Sequence, residues 1–236
     1  MVPRLRVVGA GRAGGAFALA LRQAGWRVVP PIRRGDPVAE ATAGVDLVMI
    51  ATPDPVIAEV AASMIPSPTA VVAHCSGITS LDALAPHPRR ASVHPLAALP
   101  SAELGAERLV SGIWFAVAGD PLGREVVSQL GGRAAAVPDE QRVAYHAAAV
   151  IASNHLVALM GQVERVAASV GLPLEAYLAL AADSLDNVSR LGPAAALTGP
   201  VARGDWATVE RHLAALDPSE RDGYEAMAHL AAKLVG

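Results

Sequence analysis

One stretch near the start of the chain decides the fold: Leu5-Arg6-Val7-Val8-Gly9-Ala10-Gly11-Arg12-Ala13-Gly14. Four residues typical of a β-strand lead directly into the pattern G-x-G-x-x-G, which opens an alanine- and leucine-rich helical run that Gly25 ends. In such a motif the first glycine allows a tight turn, the second lets the backbone approach a pyrophosphate, and the third lets helix and strand pack closely. The alternative is a glycine turn in an α/β domain that binds no nucleotide.

The alternation of strand and helix continues through the first half of the chain. Residues 46–52 (DLVMIAT) form an almost wholly apolar run, as expected for a strand that is buried on both faces of a sheet. Strands separated by helical runs imply βαβ crossovers and a parallel sheet. We predict strands at residues 4–8, 26–29, 46–52, 70–74, 90–94, 113–118 and 134–137.

After residue 138 the pattern changes to helices alone. Residues 139–170 contain no convincing helix breaker, and residues 144–152 are apolar on nearly every face, which predicts a helix that is buried all round. Asp205 and Ser219 are expected to be N-caps of later helices. These later helices are predicted at residues 174–191, 205–216 and 219–234.

Composition agrees with this α/β fold class, in which we predict a Rossmann domain at residues 1–138 and an all-helical domain at residues 139–236. Hydrophobic residues make up 53% of the chain, so apolar material for a core is ample. The formal net charge of −3 lacks the basic footprint of a nucleic-acid binder. The single cysteine, Cys75, the absence of room for a signal peptide and the lack of about 18 uninterrupted apolar residues favour a cytoplasmic protein outside the membrane.

The helix that begins at the glycine motif offers a place for the phosphates of a dinucleotide. We expect its unpaired N–H groups, including those of Arg12 and Ala13, and the three glycines to bind the pyrophosphate. The second strand ends in Pro31-Ile32-Arg33-Arg34-Gly35, whereas an NAD site usually has an acid there. A guanidinium can hold a 2′-phosphate through two hydrogen bonds, so NADP is favoured over NAD. Alternatively, Arg33 and Arg34 are a solvated surface pair.

Two further segments are assigned to the cofactor. Ala51-Thr52-Pro53 should pass beneath the ribose and nicotinamide, because ligands of open α/β sheets lie beyond the carboxyl ends of the strands. Alternatively or in addition, Asp54 caps the next helix. His74 ends the following strand and is placed beside the cofactor, although a buried histidine bonded to backbone would fit the pattern equally.

Candidate catalytic groups follow two neighbouring strands. Ser76 comes just after one strand, and His94 ends the next. Hydride transfer between an alcohol and a carbonyl needs a proton donor or acceptor at the oxygen, and the near-neutral pKa of histidine suits that task. We predict that His94 is the proton shuttle and that Ser76 contacts substrate. In the alternative interpretation His94 only packs in its loop ahead of Pro95.

The long helix carries polar residues within an apolar segment. His146 and Ser153 are two turns apart, and Asn154 lies about 80° round the helix from His146. Unpaired buried polar groups cost about 1–3 kcal/mol each, so these side chains need partners. We predict that His146 and Asn154 face a cleft and orient substrate. The alternative is that they bond to neighbouring helices, for example through Asp183 or Asn187.

A loop marked by glycine and proline, residues 197–205 (LTGPVARGD), leads into a later helix. Its Thr198 hydroxyl and Arg203 guanidinium are of the type that holds a carboxylate or an oxyanion, so both are assigned to substrate binding. The alternative is a plain connection between helices that is capped by Asp205.

Together these residues resemble, nearly end to end, bacterial proteins with a Rossmann-like domain followed by a DUF2520 domain. The segments that carry the resemblance are VVGAGRAGG, DLVMIATPD, AHCSGI, SVHPL, YHAAAVIASN and LTGPVARGD. More distantly the chain is similar to the 6-phosphogluconate dehydrogenase-like group, which includes pyrroline-5-carboxylate reductases and prephenate dehydrogenases. This resemblance implies an NADP domain and a helical domain that often dimerises. His94-Pro95 looks like the HP pair of prephenate dehydrogenases, and Ser76 falls where those enzymes have a substrate-side serine.

One departure concerns a catalytic lysine that β-hydroxyacid dehydrogenases place four residues before an asparagine. Asn154 matches that asparagine, but residue 150 is valine and the only lysine in the chain is Lys233. We therefore expect histidine to replace lysine in an NADP-dependent oxidoreductase that transfers hydride to or from a small oxo, hydroxy or imino acid. We expect no metal. We expect a homodimer that forms through the helical domain. The alternative is a sensor or scaffold protein that binds NADP without turnover.

Overall fold

The first compact unit of the chain is built around a seven-stranded sheet. The computed structural model describes residues 2–235, and contacts divide the chain into two units between Ser153 and Asn154. The sheet order is β2-β1-β3-β4-β5-β6-β7. Its strands are β1 (Arg4–Val8), β2 (Arg27–Val28), β3 (Leu47–Ile50), β4 (Val71–His74), β5 (Arg90–Pro95), β6 (Trp114–Gly119) and β7 (Arg133–Ala136).

All seven predicted strands are present, and the α/β fold class with a helical C-terminal part is confirmed. Every residue of β3 and β4 is buried, as the apolar runs predict for strands that are covered on both faces. The prediction of a wholly parallel sheet is wrong at one position, because β6 pairs antiparallel with β5. The chain leaves β5 at its carboxyl end and passes through a helix that packs on the first helix of the fold. It therefore enters β6 from the same edge of the sheet.

Helices cover the two faces of this sheet. Gly105 and Ala16 pack together where two of these helices meet, since a Cβ at Gly105 would lie 2.7 Å from the Ala16 methyl carbon. The helices of the first unit are α1 (Arg12–Gln23), α2 (Ile57–Ala62), α3 (Ala102–Leu109), α4 (Leu122–Gln129) and α5 (Arg142–Val150). The first unit runs to Ser153 and so includes α5, whose Arg142 bonds to the carbonyl oxygen of Ser76. The domain boundary at residue 138 stays a prediction.

The second unit consists of helices alone. Two predicted helix starts can be compared with the structure: Asp205 is the N-cap of α10, as predicted, whereas the cap of α11 is Asp217 rather than Ser219. Asp217 accepts a hydrogen bond from the backbone N–H of Ser219, so the helix begins before that serine. The helices are α6 (Leu156–Ser169), α7 (Glu175–Leu191), α8 (Pro193–Ala196), α9 (Gly199–Ala202), α10 (Trp206–Ala215) and α11 (Pro218–Ala232).

The predicted long helix is present but is interrupted. A π-helical turn, Ile151–His155, separates α5 from α6. The prediction that its apolar middle is buried all round is wrong for this chain, since the side chain of Ile151 is 60% exposed. The prediction follows from the apolar composition, which gives no information on what covers the surface. Among the described residues, Asp139–Ser169 is the one helical segment long and apolar enough to cross a membrane, and a single such helix is weak evidence for a span.

Candidate active site

The glycine turn has the geometry that the motif requires. Gly9 has a φ of +94°, and a Cβ there would lie 2.8 Å from the carbonyl oxygen of Ala51. A Cβ at Gly14 would lie 2.0 Å from the Gly9 carbonyl oxygen, so only glycine lets α1 approach β1 this closely. Gly11, in contrast, has no heavy atom within 4 Å of that position. Two glycines are therefore required by the packing of the protein itself, and the middle one faces open space.

The start of α1 leaves backbone donors available for an anion. Its N-cap is Gly11, no side chain caps it, and no acidic residue lies in its first turn. The first helical residues, Arg12 and Ala13, are exposed and partly exposed, respectively. Unpaired N–H groups and the helix dipole make such an end attractive to a phosphate. The backbone thus fits a pyrophosphate at this turn.

A cavity of about 670 Å³ lies between the glycine turn and the loop after β2. Ile32 forms a bridge with Val8, so Arg33 directly follows the last residue that aligns with β1. The first acid of the loop, Asp36, accepts a hydrogen bond from the Arg33 backbone N–H at 2.7 Å and so shapes the turn. The residues lining the cavity include Gly9, Gly11, Arg33, Arg34, Ala51, Thr52, Pro53, Asp36 and Glu59.

His74 lies at the carboxyl end of β4 and is fully buried. Neither of its ring nitrogens makes a hydrogen bond of good geometry among the described residues, although the Ser80 backbone lies close enough to raise its pKa slightly. Burial lowers the pKa of His74 to about 4, and the Arg142 charge acts in the same direction. This histidine is therefore neutral at pH 7. Its assignment to the cofactor stays a prediction.

His94 and two residues of α5 form a close group at the neighbouring strand end. Nδ1 of His94 lies 2.6 Å from the Tyr145 hydroxyl oxygen, and the ring centroids of His94 and His146 are 5.9 Å apart. Both imidazoles face Gly77, where a Cβ would lie 2.4 Å from Nδ1 of His146 and 3.0 Å from Nε2 of His94. The absence of a side chain at Gly77 therefore lets two imidazole nitrogens converge.

Burial keeps His94 and Tyr145 neutral at pH 7, and a guanidinium lies in their surroundings. Burial lowers the pKa of His94 to about 4, with further lowering by His146, Arg142 and His74. Burial raises the pKa of the Tyr145 phenol to about 12. An arginine remains protonated in proteins even when burial lowers its pKa, as it does here. Arg142 thus supplies the positive charge at this site.

Arg142 also connects α5 to the loop after β4. The side chain is fully buried, and its Nη2 donates to the carbonyl oxygen of Ser76 at 2.7 Å. The Ser76 hydroxyl accepts hydrogen bonds from the backbone N–H groups of Ile78 and Thr79 and bonds to the Thr79 hydroxyl at 2.8 Å. These bonds shape the loop, and the contact of Ser76 with substrate stays a prediction. Burial raises the pKa of the Cys75 thiol to about 12, so the thiol is protonated at pH 7.

Tyr145 and Arg142 are the two site residues that sequence reasoning missed. They lie three residues apart on α5, with His146 next to Tyr145, so residues 142, 145 and 146 share one face of the helix. That i, i+3, i+4 spacing is visible in the sequence. It was obscured because the apolar residues between 147 and 152 suggested a wholly buried helix.

The remaining predicted residues lie in the second unit. Asn154 belongs to the π-helical turn, while Thr198 is the N-cap position of α9 and Arg203 follows its last residue. Asp205 accepts a hydrogen bond from the Thr208 backbone N–H, so this loop is at least a capped connection between helices. Both Thr198 and Arg203 are exposed. Their contacts with substrate stay predictions.

Comparisons with known proteins support the fold and give a family. The family model described as "Domain of unknown function (DUF2520)" matches residues 113–231, just over half of the chain. No curated protein sequence gives a match. One similar structure is protein TM1727 from Thermotoga maritima, with 28% sequence identity, a match over 98% of each chain and a TM-score of 0.75. Another is BF3122 from Bacteroides fragilis, assigned as an NADP oxidoreductase, with 21% identity, 98% of each chain and a TM-score of 0.84. A third is the reductive aminase from Aspergillus terreus in complex with NADPH, with 15% sequence identity, a match over 99% of this chain and 94% of the other, and a TM-score of 0.71.

Proposed function

Because this chain belongs to the DUF2520 family and carries an open phosphate-binding turn next to a histidine cluster, we propose that it is an NADP-dependent oxidoreductase. The observation that carries the proposal is the uncapped start of α1 at Gly11, which has open space in front of it. Helix starts of this kind bind dinucleotide phosphates. The NADPH-bound structure of the Aspergillus terreus neighbour is consistent with a dinucleotide at this turn.

We further infer that the cofactor is NADP rather than NAD. The loop after β2 presents Arg33 and Arg34 to the same cavity, and both side chains are exposed. The Asp36 carboxylate already accepts the Arg33 backbone N–H, which favours a structural role for this acid. Gly9, Gly11, Arg12, Ala13 and Gly14 would hold the pyrophosphate, and Ala51, Thr52, Pro53 and His74 would lie on the nicotinamide side.

Calorimetry with NADP and NAD tests the cofactor. We expect the wild-type protein to bind NADP more tightly than NAD. The double variant Arg33→Ser/Arg34→Ser should lose about 10-fold to 100-fold in NADP affinity, since charged hydrogen bonds contribute about 1.5–3 kcal/mol. Its affinity for NAD should change little. Arg27→Ser is the matched control, because this exposed arginine lies at the opposite end of β2. No heat with either dinucleotide would overturn the proposal.

The chemistry follows from what the chain offers beside this cofactor. Bound NADPH supplies a hydride. His94, with its Nε2 near Gly77, would supply or accept the proton at the substrate oxygen, and Ser76, His146 and Asn154 would orient the substrate. Among the described residues no group of three or more His, Cys, Asp or Glu side chains forms a metal site.

We propose a small oxo or hydroxy acid as the substrate. Arg203 remains our candidate for holding its carboxylate, together with the Thr198 hydroxyl at the other end of α9. A panel of oxo acids, followed through NADPH absorbance, tests turnover, and Arg203→Gln should raise KM more than it lowers kcat. Persistent NADPH binding without turnover of any oxo acid would favour the sensor or scaffold function instead.

The second unit favours a homodimer. Its helices expose large apolar side chains, among them Val157 (72% exposed), Leu180 (63%) and Leu191 (60%). Apolar surface of this extent on a monomer usually marks an interface. Light scattering on the purified protein should give twice the chain mass of 24.1 kDa. A monomer at micromolar concentration would contradict this part of the proposal.

A further inference from the structure

His94 and Tyr145 share one hydrogen bond, and which of the two groups donates depends on the tautomer of His94. The Tyr145 hydroxyl lies 2.6 Å from Nδ1 of His94, and the two rings meet edge to face at 89°. In the described part of the chain the tyrosine hydroxyl has no other hydrogen-bond partner. A neutral phenol has one hydrogen to donate, and Nδ1 is an acceptor within reach of it.

The direction of this bond fixes the tautomer of the histidine. Both groups are neutral at pH 7, because burial lowers the pKa of His94 to about 4 and raises that of Tyr145 to about 12. When the phenol donates to Nδ1, that nitrogen is the acceptor, and the single ring hydrogen of neutral His94 lies on Nε2. Nε2 is the nitrogen that faces the space at Gly77.

We propose that Tyr145 holds His94 in the tautomer with its hydrogen on Nε2 and that His94 donates this hydrogen to the substrate oxygen. The protein accordingly reduces carbonyl groups rather than carbon–nitrogen double bonds. This inference rests on the proposed NADP-dependent function and narrows its substrate class. A neutral imidazole that presents an N–H group can polarise a carbonyl oxygen. An aldehyde or ketone oxygen accepts such a hydrogen bond, whereas a protonated imine has no lone pair to accept it.

The charges around His94 also favour a carbonyl substrate over an imine. The groups that act on its ring are His146, Arg142 and His74, in addition to the neutral Tyr145. Arg142 carries a fixed positive charge, and Asp139, a carboxylate that acts on Arg142, accepts a hydrogen bond from the Leu81 backbone N–H. A carbonyl oxygen gains negative charge as its carbon accepts hydride, and this field stabilises it. A cationic iminium would be repelled by the same guanidinium.

The proton path balances as follows. The carbonyl carbon gains the hydride, the C=O π pair moves to oxygen, and that oxygen takes the proton from Nε2. Nδ1 takes the phenolic proton at the same time. A proton from water then reaches Nε2 while Nδ1 returns its proton to Tyr145, so both groups end as they began. Burial disfavours the transient tyrosinate, and the Arg142 charge offsets part of that cost. The sum is carbonyl plus NADPH plus H⁺ giving alcohol plus NADP⁺.

The tautomer can be measured in the protein without any ligand. ¹⁵N NMR of histidine-labelled protein distinguishes nitrogens that carry hydrogen from those that do not, and His94→Asn identifies the relevant signals. We expect Nε2 to carry the hydrogen in the wild type at pH 7 and both tautomers to be populated in Tyr145→Phe. Tyr224→Phe is the matched control, because it removes a second tyrosine hydroxyl bonded to a histidine Nδ1 at 2.6 Å. A hydrogen on Nδ1 in the wild type would overturn the proposal.

Activity gives the second test. We expect carbonyl compounds to be reduced and preformed imines of the same carbon skeleton not to be, and Tyr145→Phe to lower kcat by about 10²-fold with little change in KM. A faster reduction of imines, or an unchanged kcat in Tyr145→Phe, would overturn the proposal. Calorimetry with NADPH separates this failure from a failure of the proposed function, because the cofactor would still bind in the first case and not in the second.

Discussion

The two compact units each contain a histidine–tyrosine pair of nearly the same geometry. In the first unit Nδ1 of His94 lies 2.6 Å from the Tyr145 hydroxyl, with the rings at 89°. In the second unit His212 and Tyr224 have the same 2.6 Å separation, with the rings at 86°. Hydrogen-bond geometry alone therefore does not distinguish a candidate catalytic pair from a surface pair.

What differs is the surroundings. His94 has Arg142, His146 and His74 close to it, and burial lowers its pKa to about 4. His212 is exposed on α10, next to a cavity of about 920 Å³. A neutral histidine held against a buried guanidinium can respond to charge that develops on a substrate, whereas an exposed histidine is screened by water. The comparison teaches that burial and neighbouring charge, rather than the pair itself, indicate function.

The largest difference between the pairs should appear in catalysis. His94→Asn removes the proposed proton donor, so we expect kcat/KM for oxo-acid reduction to fall by about 10²-fold to 10⁴-fold. His212→Asn should leave kcat/KM unchanged. Steady-state kinetics measures both variants, and NADPH affinity should be the same in each. Equal losses in the two variants would remove the distinction between the pairs.

The next effect concerns stability as a function of pH. The pKa values of His74 and His94 are about 4 in the folded chain, below the ordinary value of 6.5, so the unfolded chain binds more protons between these values. The free energy of unfolding therefore falls as the pH falls from about 6.5 to about 4. A lowering of 2.5 pKa units corresponds to about 3 kcal/mol for each histidine at most.

Urea unfolding at pH 7 and at pH 4.5 measures this dependence. We expect His94→Asn to lose less stability over that range than the wild type, because one of the two buried histidines is gone. His212→Asn should follow the wild-type curve. A His94→Asn protein whose stability falls as steeply as that of the wild type would contradict the assignment.

Gly77→Ala tests whether close approach at the first pair matters. The new Cβ would lie 2.4 Å from Nδ1 of His146, so at least one imidazole must move. We expect a stability loss of about 1–3 kcal/mol, with a lower kcat. Gly161→Ala is the matched control on α6, where the nearest atom would be the Arg165 Nη1 at 3.6 Å, and there a gain of up to about 1 kcal/mol is expected. Denaturant curves and kinetics with the same oxo acid measure both. Retained activity in Gly77→Ala would show that the imidazoles need not converge.

Sequence reasoning located most of the fold because local signals were strong. The apolar runs of β3 and β4 and the glycine turn after β1 follow from short-range rules, and the structure matches them. The antiparallel direction of β6 depends on how α3 packs on α1, which is a tertiary contact without a local signature. The π-helical turn at Ile151–His155 has no breaker residue to announce it.

The site was predicted in part for a similar reason. His94 was identified from its place at a strand end and His146 as a polar residue within an apolar helix, and the structure places their rings 5.9 Å apart. Arg142 was missed because a charged residue at the start of a helix usually faces solvent, and Tyr145 because the apolar run beside it suggested a wholly buried helix. Here the guanidinium is fully buried and bonds to the Ser76 carbonyl. Burial of a long polar side chain depends on the loop above it, which sequence periodicity does not reveal.

The smallest expected effect is that of Tyr224→Phe on stability. The bond from Tyr224 to the exposed His212 can be replaced by water on both sides, so its loss should cost no more than about 0.5–1 kcal/mol. Tyr145→Phe should cost more, about 1–3 kcal/mol, because Nδ1 of His94 is then left without a partner in a buried site. Urea unfolding at pH 7 measures the stability loss of both variants, and we expect the loss to be larger for Tyr145→Phe. If Tyr224→Phe proved the more destabilising variant, the second pair would be the one that the fold depends on, and its exposure would have to be explained by a partner that covers it.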